Sequence, residues 1–241
     1  NTIVYSMAWT DLEKVTSYDG KTYSSNNNVF SASGTQQTRG KVYVNFKKKE
    51  NYKKWEFPLP ASINKIEDCG SIIVDGCNWE IIIGKGHSPE HACLYCKEKG
   101  VFISGDQVLP KISPNISVWH QQPDANPLAE YLVTLEIIKR KVSNDTLSLP
   151  SHNSPFLGFH ERIDDLRAHH HERLIKVMEI CQTPATAVNV MEKLFDRRLD
   201  THQIFFAVGE TLAHLNLLWK KSHITRELGK RGVFLFSSRD R

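Results

Sequence analysis

GKGHSPEHACLYCKEKGVFISGDQVLPKISPNIS, from Gly84 to Ser117, is the stretch whose reading decides the fold. It holds two short apolar segments, Ala92–Tyr95 and Val101–Ser104, joined by the charged turn Lys97-Glu-Lys-Gly100. His87 stands before the first segment and Asp106 directly after the second. Ends of strands suit metal ligands, because a rigid backbone fixes a ligand atom within a few tenths of an ångström.

Working outward, the neighbouring sequence continues the strand pattern. Ser71-Ile-Ile-Val74 and Trp79-Glu-Ile-Ile-Ile83 are apolar runs split by the turn signal Asp75-Gly76. From Pro127 to Lys139 the apolar residues Leu128, Tyr131, Leu132, Leu135 and Ile138 have helical spacing. Thr146–Leu149 reads as one more strand, stopped by Pro150. Strands alternating with a helix indicate an α/β sheet covered by helices.

After Phe159 the pattern becomes helical. Ile163, Leu166, His170, Leu174, Val177 and Cys181 trace one face of a long helix. Thr183-Pro184 reads as an N-cap followed by proline at the first helical position. The next helix presents Ala187, Val190, Met191 and Leu194. A third, from about Gln203 to Trp219, turns Phe205, Val208, Leu212, Leu215 and Trp219 inward. Ile224-Thr-Arg-Glu and Val233-Phe-Leu-Phe236 flank Gly229-Lys-Arg-Gly232 as a hairpin. Three helices and a hairpin make a winged-helix-like module, with Ile163, Leu174, Met191, Leu194, Leu212 and Leu215 expected in one shared core.

The first part of the chain differs in character. Residues 1 to 37 are rich in Ser, Asn, Thr and Gly and read as loop, with Asp11–Val15 as one helical turn. Residues 39 to 57 mix Arg39, Lys41, Lys47, Lys48, Lys49, Lys53 and Lys54 with Tyr43, Phe46, Tyr52, Trp55 and Phe57. Such a mixture binds single-stranded nucleic acid or forms a solvated hairpin. The alternation in Lys41-Val-Tyr-Val-Asn-Phe46 favours the hairpin.

Composition sets outer bounds. The 241 residues carry a net charge of +4, which permits an anionic partner without demanding one. There is no apolar run of membrane-spanning length and no signal-peptide pattern, so a cytoplasmic location and no membrane partner are expected. Five scattered cysteines argue against a disulfide framework. Cys93 and Cys96 have zinc-knuckle spacing, but three residues apart on a strand they face opposite ways, so packing is the expected role.

Three residues are candidate metal ligands. His87 follows Gly84-Lys-Gly86, glycines that let the backbone turn and present an imidazole. Asp106 at a strand end can bridge two metals and orient the water between them. His152 follows another short strand. His91 either orients His87 or packs beneath the loop, and Gln107 has no assigned role. His169, His170 and His171 cannot converge on one ion, since successive helical residues point about 100° apart. Of these, His170 lies nearest the apolar stripe.

The Gly86-His-Ser-Pro-Glu-His91 and Ser104-Gly-Asp106 segments resemble the metallo-β-lactamase superfamily. There, Gly-His-Ser/Thr-Pro-x-His is followed by Ser-Gly-Asp, and the last ligand commonly lies in Pro-Gly-His-Gly. Here that text is Pro150-Ser-His-Asn153. Pro114–Trp119, Phe156–Ile163 and Gly209–Leu215 resemble one subgroup, akin to glyoxalase II, with a winged-helix-like C-terminal extension. The resemblance implies an α/β fold: the later half of an αββα sandwich over residues 1–158, plus a helical domain over residues 159–241. It implies one or two zinc ions held by His87, Asp106 and His152, with Asp106 also catalytic, and a thioester or related ester as substrate. RNA cleavage, or a non-catalytic remnant, is the alternative. The superfamily's earlier His-x-His-x-Asp-His segment has no counterpart, since residues 1 to 86 contain no histidine. The fragment is therefore expected to be inactive alone. Ile72, Val74, Ile81, Ile83, Leu94, Phe102 and Leu147 are expected to leave an exposed apolar patch.

Overall fold

The computed structural model describes residues 66–229 and 232–239, together with four strands nearer the start of the chain. The chain divides into two units, Asn1–Ile66 and Glu67–Arg241.

The first unit contains β1 (Leu12–Ser17), β2 (Thr22–Ser24), β3 (Lys41–Phe46) and β4 (Trp55–Pro58), in the antiparallel order β2-β1-β3-β4. The expected hairpin is present, with Lys41 opposite Pro58 and Val44 opposite Trp55. The expected helical turn at residues 11–15 is not: Leu12 opens a strand. Val15 and Thr16 are β-branched, and both pair with β2 and β3, so sheet pairing overrides a weak local helical signal. Arg39, Lys47, Lys48, Lys49, Tyr52, Lys53 and Lys54 lie outside the described residues.

The second unit is built on a five-stranded sheet. Its strands are β5 (Ser71–Val74), β6 (Cys77–Gly84), β7 (His91–Cys96), β8 (Val101–Gly105) and β9 (Leu147–Pro150), ordered as in the sequence. Asp75 and Gly76 join β5 to β6 with φ of 50° and 76°. Both values are positive, as the tight hairpin turn requires. The first four strands are antiparallel, while β9 runs parallel to β8. A parallel neighbour needs a crossover, and α1 (Pro127–Lys141) supplies it. The helices α2 (Phe159–Ile180), α3 (Ala187–Leu194) and α4 (Thr201–Lys220) follow. The hairpin β10 (Ile224–Leu228) and β11 (Phe234–Ser238) ends the chain's regular structure among the described residues.

One face of the sheet packs on helices. Ile82, Tyr95 and Phe102 share a core with Leu128 and Leu135 of α1 and Phe159 and Ile163 of α2. Phe102 has no exposure, and its ring meets the edge of Phe159 at 5.1 Å. The opposite face is only partly buried, with Ile72 and Ile83 intermediate. Ile81 and Leu94 are buried, whereas Val74 and Leu147 are exposed. The exposed members of the expected patch, Val74 on β5 and Leu147 on β9, stand on opposite edge strands and so form no single broad patch.

The helical part has a second core, where Val177, Val190, Leu194, Leu215 and Phe236 meet. The shared core expected from the sequence is two: Ile163 belongs to the first, Leu194 and Leu215 to the second, and Leu174 touches both. At 22 residues, α2 is about 33 Å long, enough to serve both. Helix α3 is capped by Thr186 in a reciprocal pair with Asn189, not by Thr183. Ala185 is held extended by two backbone hydrogen bonds with Phe236, so the helix starts after it. Phe205 is exposed rather than inward and lies against Trp119.

His170 is buried, as its place on the apolar stripe implies. Nδ1 of His214 donates to the Glu210 carbonyl at 2.8 Å, leaving Nε2 to accept from Nδ1 of His170 at 3.3 Å. Burial, and then the neighbouring imidazole and cationic groups, push His170 down to about 2. Burial pushes His214 down to about 4.

This packing fixes two expected outcomes. Phe102→Ala should destabilise the fold by about 3–5 kcal/mol in urea denaturation, the usual cost of an aromatic cavity. Stability should also fall with acid, because the unfolded chain protonates His170 and His214 near pH 6.5 and the folded one does not. The contribution is complete above that pH and drops by up to about 1.4 kcal/mol per pH unit per histidine below it. Urea midpoints from pH 7 to 5 check this against His170→Gln, which should flatten the profile. An equal slope in both proteins would contradict it.

Candidate functional site

The topology gathers four strand ends at one end of the sheet. β6 runs towards that end, β7 starts there, and β8 and β9 both finish there. His87 follows β6, His91 opens β7, Asp106 follows β8 and His152 follows β9. A bond from Ser151 N–H to the Gly105 carbonyl, 3.1 Å, ties the last two ends together.

Asp106 sits at the centre. Its Oδ2 lies 3.7 Å from Nε2 of His87, and its Oδ1 lies 3.3 Å from Nε2 of His152. Each carboxylate oxygen therefore faces a different imidazole. Oδ1 is buried without a hydrogen-bond partner among the described residues. Burial raises the Asp106 pKa, but His87, His152 and His91 outweigh it and hold the carboxyl below the usual range. The group is an anion whose buried Oδ1, beside His152, makes no hydrogen bond among the described residues.

His87 is oriented from behind. Its Nδ1 donates to the Asn115 carbonyl at 2.9 Å, so the Nε2 lone pair is free towards Asp106. The Asn115 segment is itself braced: Ser117 Oγ donates to Asn115 Oδ1 at 2.8 Å, and Val118 N–H donates to the Gly209 carbonyl on α4 at 3.0 Å. Gly209 allows this approach, since a Cβ there would stand 2.8 Å from Ser117 Cβ. Neither Asn115 nor Gly209 is marked for this role in the sequence, because a backbone carbonyl as partner leaves no side-chain signature.

His91 and Gln107 acquire structural roles here. Nε2 of His91 accepts the Asp106 N–H at 3.0 Å. Burial, then His87, lowers its pKa, which keeps it neutral and accepting. Its ring fills the space beside Gly105, where a Cβ would come within 2.3 Å of the imidazole. Gln107 is buried, and its amide donates to the Lys85 carbonyl at 3.1 Å, pinning the loop that carries His87. Gly84 and Gly86 make room for Gln107 and Tyr131, so that loop presses on the sheet and on α1.

His152 stands on a turn where Asn153 takes φ of 68°. Asparagine tolerates this left-handed conformation better than most residues. His152 is more open than Asp106, with 40% of its side chain exposed.

Comparison with known proteins bears on the fold. A family model described as metallo-β-lactamase-like, C-terminal domain, matches residues 174–239. The solved structure of a β-lactamase domain protein from Burkholderia ambifaria is 44% identical, with a TM-score of 0.72, covering 75% of this chain and 53% of that one. A metallo-β-lactamase family protein from Thermus thermophilus is 29% identical, with a TM-score of 0.64, covering 76% of this chain and 57% of that one. The chain thus spans little more than half the length of these structures. Curated proteins give no match. The chain has a mixed α/β metallo-β-lactamase fold with a C-terminal domain of that kind.

Gly105→Ala should displace His91. The added methyl meets the imidazole, at a backbone φ of 52° that side chains disfavour. A loss of about 1–3 kcal/mol is expected in chemical denaturation, together with faster hydrogen exchange at the Asp106 amide. Unchanged protection of that amide would contradict the role given to His91.

Proposed function

We propose that this chain, whose fold and C-terminal domain are those of metallo-β-lactamase superfamily proteins, is part of a zinc-dependent hydrolase acting on a thioester or related carboxylic ester. One observation carries the reading: the two oxygens of Asp106 face different imidazoles, and one of those oxygens is buried without a hydrogen-bond partner among the described residues. One or two zinc ions would fit that arrangement, with Asp106 as a carboxylate ligand. His87, with Nε2 free, and His152 would be the other ligands. Zinc, when bound, supplies a water acidified towards neutrality and polarises the scissile carbonyl.

The chain's own residues do the rest. Asn115 fixes the tautomer of His87 and His91 fixes the backbone of Asp106, so the two would hold the carboxylate and an imidazole in place for a metal. Residues 1–158 belong to the hydrolase domain in this reading, and residues 159–241 form its winged-helix-like partner. Among the described residues no helix is long and apolar enough to cross a membrane. A cytoplasmic setting is part of the proposal.

Imidazole-nitrogen NMR on the zinc-titrated chain tests the metal reading. His87 and His152 resonances should shift together, and Asp106→Asn should weaken that response by roughly tenfold or more. A response confined to other histidines would overturn it. Substrate class is tested by calorimetry on the zinc-loaded chain, with a non-hydrolysable thioester analogue and single-stranded RNA at low and high salt. Salt-independent binding of the analogue is expected. Preferential RNA binding that falls steeply with salt would favour the nuclease alternative instead.

A further inference from the structure

We infer that Cys77, Cys96 and Glu98 form a second metal site, of the zinc class, at the opposite end of the same sheet. This goes beyond the hydrolase reading and does not depend on it. The ligand atoms of these three side chains lie within 4.8 Å of one another. They form the one such group of three or more among the described residues.

The sheet register explains the convergence. Glu80 pairs with Tyr95 between β6 and β7. Continuing by one residue sets Trp79 opposite Cys96, two residues from Cys77 on β6, while Glu98 lies in the turn that follows β7. Side chains two apart on a strand share a face. Ile82 and its partner Cys93 face the helices, so Cys77 and Cys96 face the other way. The Cys93/Cys96 pair therefore does point apart, as the strand geometry predicts. The cross-strand neighbour Cys77 gives Cys96 more than the packing role expected from its spacing to Cys93.

The site is well separated from Asp106. β6 is eight residues long, so its two ends lie on the order of 25 Å apart. Cys77 begins β6, and His87 lies beyond its end.

The chemistry favours a metal over a disulfide. Cys77 and Cys96 are diagonal neighbours, for which Cα atoms stand about 7–8 Å apart, beyond the reach of an unstrained S–S bond. A disulfide would also leave Glu98 without a reason to be there. Two sulfurs and one carboxylate match zinc, with bonds of about 2.3 and 2.0–2.2 Å. A tetrahedral ion needs those ligands about 3.5–3.8 Å apart, a small side-chain adjustment from what is seen. Sulfur ligands disfavour magnesium and calcium. Cys96 is fully buried, Cys77 half-buried and Glu98 exposed, so the protein closes one side and leaves a fourth position to water. Binding must release the protons of both thiols, and it would clamp the turn Lys97–Gly100 to the start of β6.

Cobalt(II) titration of the full chain, in a non-thiol reductant, tests this through the near-ultraviolet thiolate-to-cobalt charge-transfer band. Imidazole and carboxylate ligands give no such band. It should appear in the wild type and persist in Cys69→Ser and in the double variant His87→Ala/His152→Ala. Cys77→Ser should roughly halve it, because one of two sulfur ligands is gone. Glu98→Gln, an exposed change that does not threaten folding, should weaken cobalt affinity roughly tenfold or more. Absence of the band in the wild type, or full affinity in both Cys77→Ser and Glu98→Gln, would overturn the inference. So would a Cys77–Cys96 disulfide found by mass spectrometry as the resting state under reductant.

Discussion

A single hydrogen bond, from the Asp106 amide to Nε2 of His91, organises the candidate site. It joins the end of β8 to the start of β7 and is possible because Gly105 has no side chain. It also decides which histidine does what. With its Nε2 occupied, His91 cannot present that nitrogen to an ion, which leaves His87 and His152 to face the carboxylate. The same turn is also held by Gln107 N–H on the Ser104 carbonyl and by Ser151 N–H on the Gly105 carbonyl.

The rest of the second unit supports that arrangement by direct contact. His87 is held by the Asn115 carbonyl, and the Asn115 segment is braced on α4 by Ser117 and Val118 at Gly209. Gln107 links the same loop to the end of β8, and Tyr131 of α1 donates to the Gln107 carbonyl at 3.1 Å. The helices after the sheet therefore do more than cover it. They fix the backbone that sets the tautomer of a candidate ligand. The same sheet collects sulfur at its other end, because an antiparallel register that aligns apolar residues in the middle also aligns what lies beyond them.

Much of this was legible in the sequence, for identifiable reasons. Strands with clear apolar runs, such as those leading to Gly84 and Gly105, form where periodicity puts them, and a parallel β9 follows from the helix before it. That Asp106 lies beside both His87 and His152 follows from each standing after a strand. What was not legible depended on long-range pairing. The strand at Leu12 has weak local signals and forms through β3. Thr186, not Thr183, caps α3 because Ala185 is bonded to Phe236, near the far end of the chain. The role of Asn115 is carried by a carbonyl oxygen that every residue has. Cys96 lies close in sequence to Cys93, but its neighbour in space is Cys77, on another strand.

In the proposed function Asp106 lies beside two imidazoles to hold metal. Anomalous scattering at the zinc absorption edge, from crystals of the zinc-loaded chain, tests it most directly. An anomalous peak is predicted within about 2.0–2.2 Å of an Asp106 carboxylate oxygen and of Nε2 of His87 or His152. Well-ordered His87, Asp106 and His152 side chains with no peak between them, at zinc concentrations that fill other sites, would contradict it.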